Sequence, residues 1–235
     1  MNRRAAFTAG VRRTAPVMLG VVPFSMIAGA AAVGVGLSVL QAMALSVVVF
    51  AGASQLAAIE LLGQDATLAV VIATALVINS RFVIYSASLA PHFLEASGRW
   101  RAVMAYVLTD QAFAVSITRF AEGLEGPVTR RWFYLGTALP LWAVWQLGTI
   151  VGAVVGARVP AWLPLEFAVP LTFLALLVPA VEGRASGAAA LVGGGVATAG
   201  IALPFNLGLL AGALAGIAAG VLVAERDDTA EVMAE

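Results

Sequence analysis

The sequence contains no cysteine and no lysine, a single histidine and few charged residues. Without cysteine the chain forms no disulfide, carries no thiol nucleophile and offers no thiolate to a metal. The 13 basic residues, all arginine, balance 13 acidic ones. No basic patch with interleaved aromatic side chains occurs, which excludes a nucleic-acid interface. Only 11% of the residues are charged, against about 25% in soluble domains, so a soluble globular protein is excluded.

Signatures of catalysis are absent as well. The sole histidine, His92, follows a proline at the end of an apolar run, which is a poor position for the base of an intramembrane serine protease. An aspartyl protease needs two facing carboxylates within the membrane, and Asp110 is the only central one. Neither a His-Glu-x-x-His zinc motif nor a Walker A loop is present. We therefore expect no enzyme, no metal site and no cofactor.

Apolar residues make up 61% of the 235 positions. A membrane-spanning helix takes about 20 residues, so the chain has room for at most about eight spans. We predict an all-α fold, a polytopic integral membrane helical bundle of seven or eight transmembrane helices, some of them discontinuous, in a single transmembrane domain over residues 1–235. The last two runs, joined at Pro204, are either two spans or a re-entrant pair. The eight apolar runs are 16–37, 40–62, 66–90, 101–120, 132–156, 162–181, 185–202 and 205–224.

The placement of arginine predicts the orientation. With eight spans and the N-terminus inside, nine arginines lie in cytoplasmic segments and three in outer loops. Residues 1–15 are then a basic cytoplasmic N-terminus, and residues 225–235 an acidic, flexible tail. We expect the first run to be a retained span rather than a cleaved signal peptide, because two prolines interrupt it.

Two sets of glycines recur at every fourth position, 148–156 in the fifth run and 208–220 in the eighth. Small residues along one stripe of a helix let a neighbouring backbone approach closely in lipid. These stripes therefore predict packing seams rather than the wall of a pore.

Two apolar runs contain interruptions, at Phe50–Gln55 in the second run and at Leu165–Pro170 in the sixth. Interrupted spans at matching places in two halves of a chain point to a transporter binding site. The free N–H groups and dipole at the start of the following half-helix suit a carboxylate. The alternative is that Pro170 is a tolerated kink and Gly52 a packing contact.

Arg81 and Asp110 lie well inside the third and fourth runs. A charge at the centre of a membrane helix costs roughly 2.5–3.5 kcal/mol, so such residues usually pair or serve a site. Both lie nine residues from the same end of a helical hairpin, which predicts a buried Arg81–Asp110 ion pair. The pair is either a structural clamp or part of a binding site. Tyr85 shares a helix face with Arg81.

These segments resemble the AzlC family over roughly residues 10–220. The resemblance is carried by Phe-Ala-Gly-Ala-Ser-Gln at 50–55, by Asn79-x-Arg81-x-x-x-Tyr85 and by Leu-Thr-Asp-Gln at 108–111. Members of that family are large subunits of branched-chain amino acid exporters that work with a small AzlD-type membrane subunit. The resemblance therefore implies a secondary transporter in the bacterial cytoplasmic (inner) membrane, whereas the candidate site residues follow from the physical argument alone.

An aliphatic amino acid needs a receptor for its carboxylate, one for its ammonium and an apolar pocket. The half-helix after Gly52, or Arg81, is the candidate for the carboxylate, and Asp110 is the candidate for the ammonium. The rival interpretations are a passive channel lined by the polar residues and a membrane scaffold that does not itself transport. Candidate substrate-binding residues are Gly52, Ser54, Gln55, Asn79, Arg81, Tyr85, Asp110 and Gln111, and the candidates for ion coupling are Asp110 and Glu60.

Overall fold

The computed structural model describes residues 2–123, 126–158, 181, 183–203 and 207–232, with side chains as far as Arg226. Every regular element among them is helical, as predicted. The sixth apolar run, with the break predicted at Leu165–Pro170, lies outside the described residues. The helices are α1 (Arg3–Gly34), α2 (Val39–Val49), α3 (Gly52–Gly63), α4 (Leu68–Asn79), α5 (Arg81–Leu89), α6 (Gly98–Tyr106), α7 (Asp110–Ala121), α8 (Pro127–Gly156), α9 (Gly183–Ala199) and α10 (Leu207–Val232), with a 3-10 turn at Ala90–Phe93.

Four helical stretches within the described ranges are long and apolar enough to cross a membrane, judged by length and composition. They are Arg3–Gly34, Leu68–Phe93, Pro127–Gly156 and Leu207–Arg226. Helix α2 is apolar but shorter. The multispan helical class is thus supported, and the total of seven or eight spans stays a prediction.

Three successive apolar runs are interrupted. The second run breaks at Phe50–Ala51, as predicted, but the fourth run, expected to be continuous, ends one helix at Tyr106 and starts the next at Asp110. Thr109 causes this restart, because its backbone is extended and its Oγ1 accepts a hydrogen bond from the Ala112 N–H at 3.1 Å. The third run has a milder interruption at Ser80, whose backbone stays in the right-handed helical region.

The described chain groups into two compact units, the first comprising Met1–Gln55 and Asn79–Leu165. Helices α1 and α8 run parallel in this unit, since Phe7 packs on Gly136 and Ala30 on Gly156. A Cβ at Gly152 would collide with the backbone of Met26. The glycine stripe of α8 is therefore a packing seam, as predicted, and its neighbour is α1.

Helix α1 begins earlier than the apolar run. Asn2 caps it by accepting a hydrogen bond from the Ala5 N–H at 2.8 Å, so the basic segment predicted at residues 1–15 is helical from Arg3 onward. Pro16 and Pro23 are both accommodated within the helix.

The second unit comprises Leu56–Ile78 and Glu166–Glu235. Helices α9 and α10 pack antiparallel within it, since Gly208 meets Gly200 while Gly216 meets Ala189 and Gly193. The second predicted glycine stripe is thus a packing seam too. Helix α10 continues to Val232, so the tail predicted to be flexible is helical there, which fits a segment without glycine or proline.

Candidate functional site

The break between α2 and α3 is held by close packing around one glycine. The backbone leaves the helix at Phe50 (φ −21°, ψ 67°) and a new helix starts at Gly52. A Cβ at Gly52 would lie 2.6 Å from Phe24 Cε1 and 2.8 Å from Trp145 Cη2. The two rings meet edge to face with centroids 5.2 Å apart. Only glycine lets α3 start this close to the pair.

Side chains of other helices reach two of the carbonyl groups that the break leaves without helical partners. The last four carbonyls of a helix have no intrahelical donor, and in a membrane they must be satisfied by the protein. The Tyr106 hydroxyl donates to the Val47 carbonyl at 2.9 Å and accepts from Trp142 Nε1 at 3.2 Å. Gln146 Nε2 lies 3.4 Å from the Ser46 carbonyl. Hydrogen bonds from α6 and α8 therefore stabilise the break.

A free hydrogen-bond donor lies at the start of α3. Gln55 is completely buried, and its Oε1 accepts from Trp145 Nε1 at 3.1 Å. No acceptor among the described residues reaches its Nε2. Ser54 is also buried, and its hydroxyl donates a hydrogen bond to the Ala51 carbonyl at 3.0 Å. An unpaired buried donor costs about 1–3 kcal/mol, so Gln55 Nε2 is suited to receive an oxygen of a ligand.

The predicted ion pair is present: Arg81 Nη2 lies 3.2 Å from Asp110 Oδ2. Asp110 Oδ1 accepts a second hydrogen bond from the Tyr85 hydroxyl at 3.0 Å. Asp110 is the first residue of α7, so its carboxylate lies at a helix N-terminus, where a negative charge is favoured. It also compensates the charge of Arg81.

The pair is not deeply buried, which corrects the sequence-based expectation. The side chains of Arg81 and Asp110 are 34% and 40% exposed. Asp110 is the first residue of α7 rather than the middle of a packed helix, which leaves its side chain partly exposed. Aromatic rings flank the pair: Tyr85 stacks on Phe113 with centroids 4.3 Å apart, and Arg81 Cζ lies 5.4 Å from the centre of Phe82.

The remaining candidates lie in different surroundings. Asn79 ends α4, and its Oδ1 is buried with no donor from any described residue. Gln111 is half-buried on α7, beside Asp110 in the chain. Glu60 belongs to the second unit and accepts a hydrogen bond from Gln64 Nε2 at 2.7 Å. The structure thus joins Arg81, Tyr85 and Asp110 in one cluster and places Gly52, Ser54 and Gln55 at the break, while their role in binding stays a prediction.

Sequence reasoning overlooked the polar residues that α8 contributes to the break. Gln146 and Thr149 stand one helical turn apart and are both buried. Ser46 faces them from α2, with its Oγ 3.5 Å from Thr149 Oγ1. Buried amides and hydroxyls three residues apart in an apolar run are a readable signal, because polar side chains inside a membrane usually have a partner or a function.

A second charged cluster ties α1 to the end of α7. Arg13 engages both carboxylate oxygens of Glu122, and Arg119 Nη1 lies 3.1 Å from Glu122 Oε2. Glu122 follows the last residue of α7. The hydrogen bond from Arg13, together with that from Arg119, lowers the pKa of Glu122 below its usual range.

Comparison with known proteins gives consistent relatives. The profile of a family described as AzlC protein matches residues 16–159. An uncharacterized membrane protein of Archaeoglobus fulgidus is 33% identical over 226 residues, covering 92% of this chain and 94% of that protein. The inner membrane protein YgaZ of Escherichia coli K12 is 29% identical over 231 residues, covering 94% and 90%.

A shorter match, 31% identical over 154 residues and 65% of each chain, is to an uncharacterized membrane protein of Helicobacter pylori 26695. No solved structure matches. The break and the Arg81–Asp110 cluster both lie inside the range that the family profile covers.

Proposed function

The chain belongs to the AzlC family of membrane proteins, and we propose that it is a secondary transporter subunit that exports branched-chain or other aliphatic amino acids. It acts as a transporter and not as an enzyme. Its location is the bacterial cytoplasmic membrane, and a small AzlD-type membrane subunit is its partner. The inner membrane protein YgaZ is a relative over nearly the whole chain, which supports this location.

The observation that carries the proposal is the break between α2 and α3. It brings the N-terminus of α3 together with Gln55 Nε2, which is buried and has no acceptor within the part of the chain that the structure describes. Backbone N–H groups, the positive end of the α3 dipole and an amide donor together match a substrate carboxylate.

The Arg81–Asp110 cluster supports recognition of a zwitterion. Its charges are held 3.2 Å apart and are partly exposed. Asp110 is the receptor for the ammonium, and Arg81 is the alternative to the break as receptor for the carboxylate. Phe82 and Phe113 beside the cluster offer apolar surface to an aliphatic side chain. Asp110 already accepts from two donors, which favours a binding role over that of a proton carrier.

The proposed topology has the N-terminus in the cytoplasm and eight spans, with seven as the alternative. Two observations support it, the excess of arginine in the segments assigned inside and the parallel packing of α1 and α8. Parallel helices need an odd number of crossings between them. The second, third and fourth apolar runs supply three.

Counterflow in proteoliposomes tests the proposal. Proteoliposomes that contain the purified protein, with or without the small subunit, are loaded with unlabelled valine. They are then exposed to labelled valine, glycine or glutamate. We expect saturable uptake of valine that Asp110→Asn and Gln55→Ala reduce at least tenfold. The matched control is Asp65→Asn, which makes the same change at an exposed turn residue with φ 56°, a conformation that asparagine tolerates.

Each alternative has a distinct outcome. Flux that does not saturate and ignores an uncoupler indicates a passive channel. Transport by the small subunit in the absence of this chain indicates that this chain is a scaffold. Unchanged valine counterflow in both variants contradicts the assigned site.

A further inference from the structure

Three polar side chains meet at the C-terminal end of α2 without adequate partners. The hydroxyls of Ser46 and Thr149 lie 3.5 Å apart, at the limit of a hydrogen bond. Gln146 Nε2 is 3.4 Å from the Ser46 carbonyl, and Gln146 Oε1 has no donor among the residues that the structure describes. Ser46 and Thr149 are fully buried, and Gln146 is 6% exposed. Gln146 and Thr149 belong to α8, which is long and apolar enough to cross a membrane.

The geometry points to a Na⁺ site formed by Ser46, Gln146 and Thr149, and we propose that Na⁺ is the coupling ion of the transporter, an assignment that rests on the proposed function. The four oxygens available are the Ser46 carbonyl, the Ser46 and Thr149 hydroxyls and the Gln146 amide oxygen. Rotating the Gln146 amide by half a turn turns its oxygen towards the Ser46 carbonyl.

The spacing of the oxygens fits a small cation. Hard cations the size of Ca²⁺, which Na⁺ resembles, hold oxygen ligands at about 2.3–2.6 Å, so two ligands at right angles lie about 3.3–3.7 Å apart. The 3.5 Å between Ser46 Oγ and Thr149 Oγ1 falls in this range. A larger cation needs its ligands farther apart.

The helix ends supply the electrostatics. Ser46 is in the last turn of α2, where the helix dipole is negative and carbonyls are freed. Helix α3 starts three residues after α2 ends, with its positive end at the same break. A cation at the end of α2 and a carboxylate at the start of α3 would neutralise each other, as at the interrupted helices of other transporters.

Other occupants fit the three side chains less well. None of the three titrates, so the group does not bind a coupling proton. All its ligands are neutral, which leaves a divalent ion without the carboxylates that it prefers. An ammonium nitrogen holds oxygen acceptors at about 2.7–2.9 Å, so two acceptors at tetrahedral angles lie more than about 4 Å apart, farther than the two hydroxyls.

The test is the thermal stability of the purified chain in detergent, titrated with NaCl against choline chloride and KCl at constant ionic strength. A ligand that binds the folded state raises Tm in a saturable manner. We expect such a rise with Na⁺ alone in the native chain and in Thr149→Ser, which keeps the hydroxyl. In Thr149→Val and Ser46→Ala the apparent Kd for Na⁺ is expected to rise at least tenfold.

Thr137→Val is the matched control. Thr137 is as buried as Thr149 and lies on the same helix, but its hydroxyl bonds to the Phe133 carbonyl of its own helix at 3.2 Å. This variant is expected to keep the Na⁺ response. A native chain without a Na⁺-specific rise, or Thr149→Val with an unchanged one, overturns the proposal.

Valine counterflow separates this proposal from the proposed function. Counterflow at full rate in choline means that the chain transports valine and that Na⁺ is not its coupling ion. A Na⁺-specific rise in Tm without any valine counterflow means that the site is real and that the transport assignment is wrong. Protection by valine in choline that Thr149→Val removes assigns the site to the substrate ammonium and overturns the Na⁺ proposal.

Discussion

Replacing Gly52 by alanine tests whether the break depends on close packing. The added Cβ would lie 2.6 Å from Phe24 Cε1 and 2.8 Å from Trp145 Cη2. Carbon atoms pack at about 3.5–4.0 Å, so the contacts are short by at least about 0.9 and 0.7 Å. Overpacking of this kind costs about 1–3 kcal/mol. Moving the indole also strains its 3.1 Å hydrogen bond to Gln55, worth about 1 kcal/mol.

The sum, about 2–4 kcal/mol, predicts a fall in Tm of about 4–16 °C for a chain of this size. The measurement is thermal unfolding in detergent, with valine counterflow recorded on the same preparation. Gly20→Ala is the matched control, because a Cβ there meets no atom of the described residues within 4 Å, and its Tm should stay level or rise slightly.

A second substitution examines the cause. Phe24→Leu removes one of the two clashing rings, so in the Gly52→Ala background it should restore part of the lost stability, a coupling that a double-mutant cycle measures. If Gly52→Ala is as stable and as active as the native chain, or if Phe24→Leu adds its full cost in the double variant, the packing argument is refuted.

Arg81→Gln should lower Tm. In a double-mutant cycle, Arg81→Gln with Asp110→Asn should lower the free energy of unfolding by about 0.5–3 kcal/mol less than the sum of the two single changes. Strict additivity would contradict the ion pair. Pairing lowers the pKa of Glu122, so the stabilisation by its carboxylate is complete above the ordinary pKa of 4.5 and is lost as the pH falls through the lowered pKa. Glu122→Gln should therefore flatten the dependence of Tm on pH in that acidic range. An unchanged slope would show that the carboxylate is unpaired. Gly212→Leu should destabilise the α9–α10 hairpin by about 1–3 kcal/mol, since its Cβ would lie 2.6 Å from the Gly193 carbonyl oxygen. Gly194→Leu should leave Tm unchanged, because a Cβ there meets no described atom within 4 Å. Equal effects of the two substitutions on Tm would mean that α9 and α10 do not pack through this stripe.

The features that sequence predicts well are those with a strong periodic or compositional signal. The apolar runs identify the helices, and the recurrent glycines at 148–156 identify the face of α8 that meets α1. The matched depths of Arg81 and Asp110 predict their pairing, because a lone charge in a membrane is costly.

The restart of the fourth run at Asp110 escapes this reasoning for a physical reason. No glycine or proline marks it, and the residues around it are apolar enough for a continuous span. The restart depends on one capping contact from Thr109 to the Ala112 N–H, and a side chain of this size barely changes the hydropathy. The partial exposure of the ion pair is missed for the same reason, since it follows from the position of Asp110 at the start of α7.

Hydrogen-bond partners across the break are the least predictable feature. The bonds from Tyr106 to Val47 and from Trp145 to Gln55 join residues 59 and 90 positions apart. Such pairs depend on which helices become neighbours, and that is not visible in the periodicity of any single run.

The glycine contacts between α1 and α8 also constrain how the chain assembles during synthesis. Gly10 packs against Gly136, so the two surfaces are separated by about 126 residues of chain. At about 5–20 residues per second, the ribosome needs about 6–25 s to make that length. Helix α1 therefore enters the bilayer long before its principal partner exists. During that interval its small-residue face is exposed to lipid or to whichever membrane chaperone attends the nascent chain.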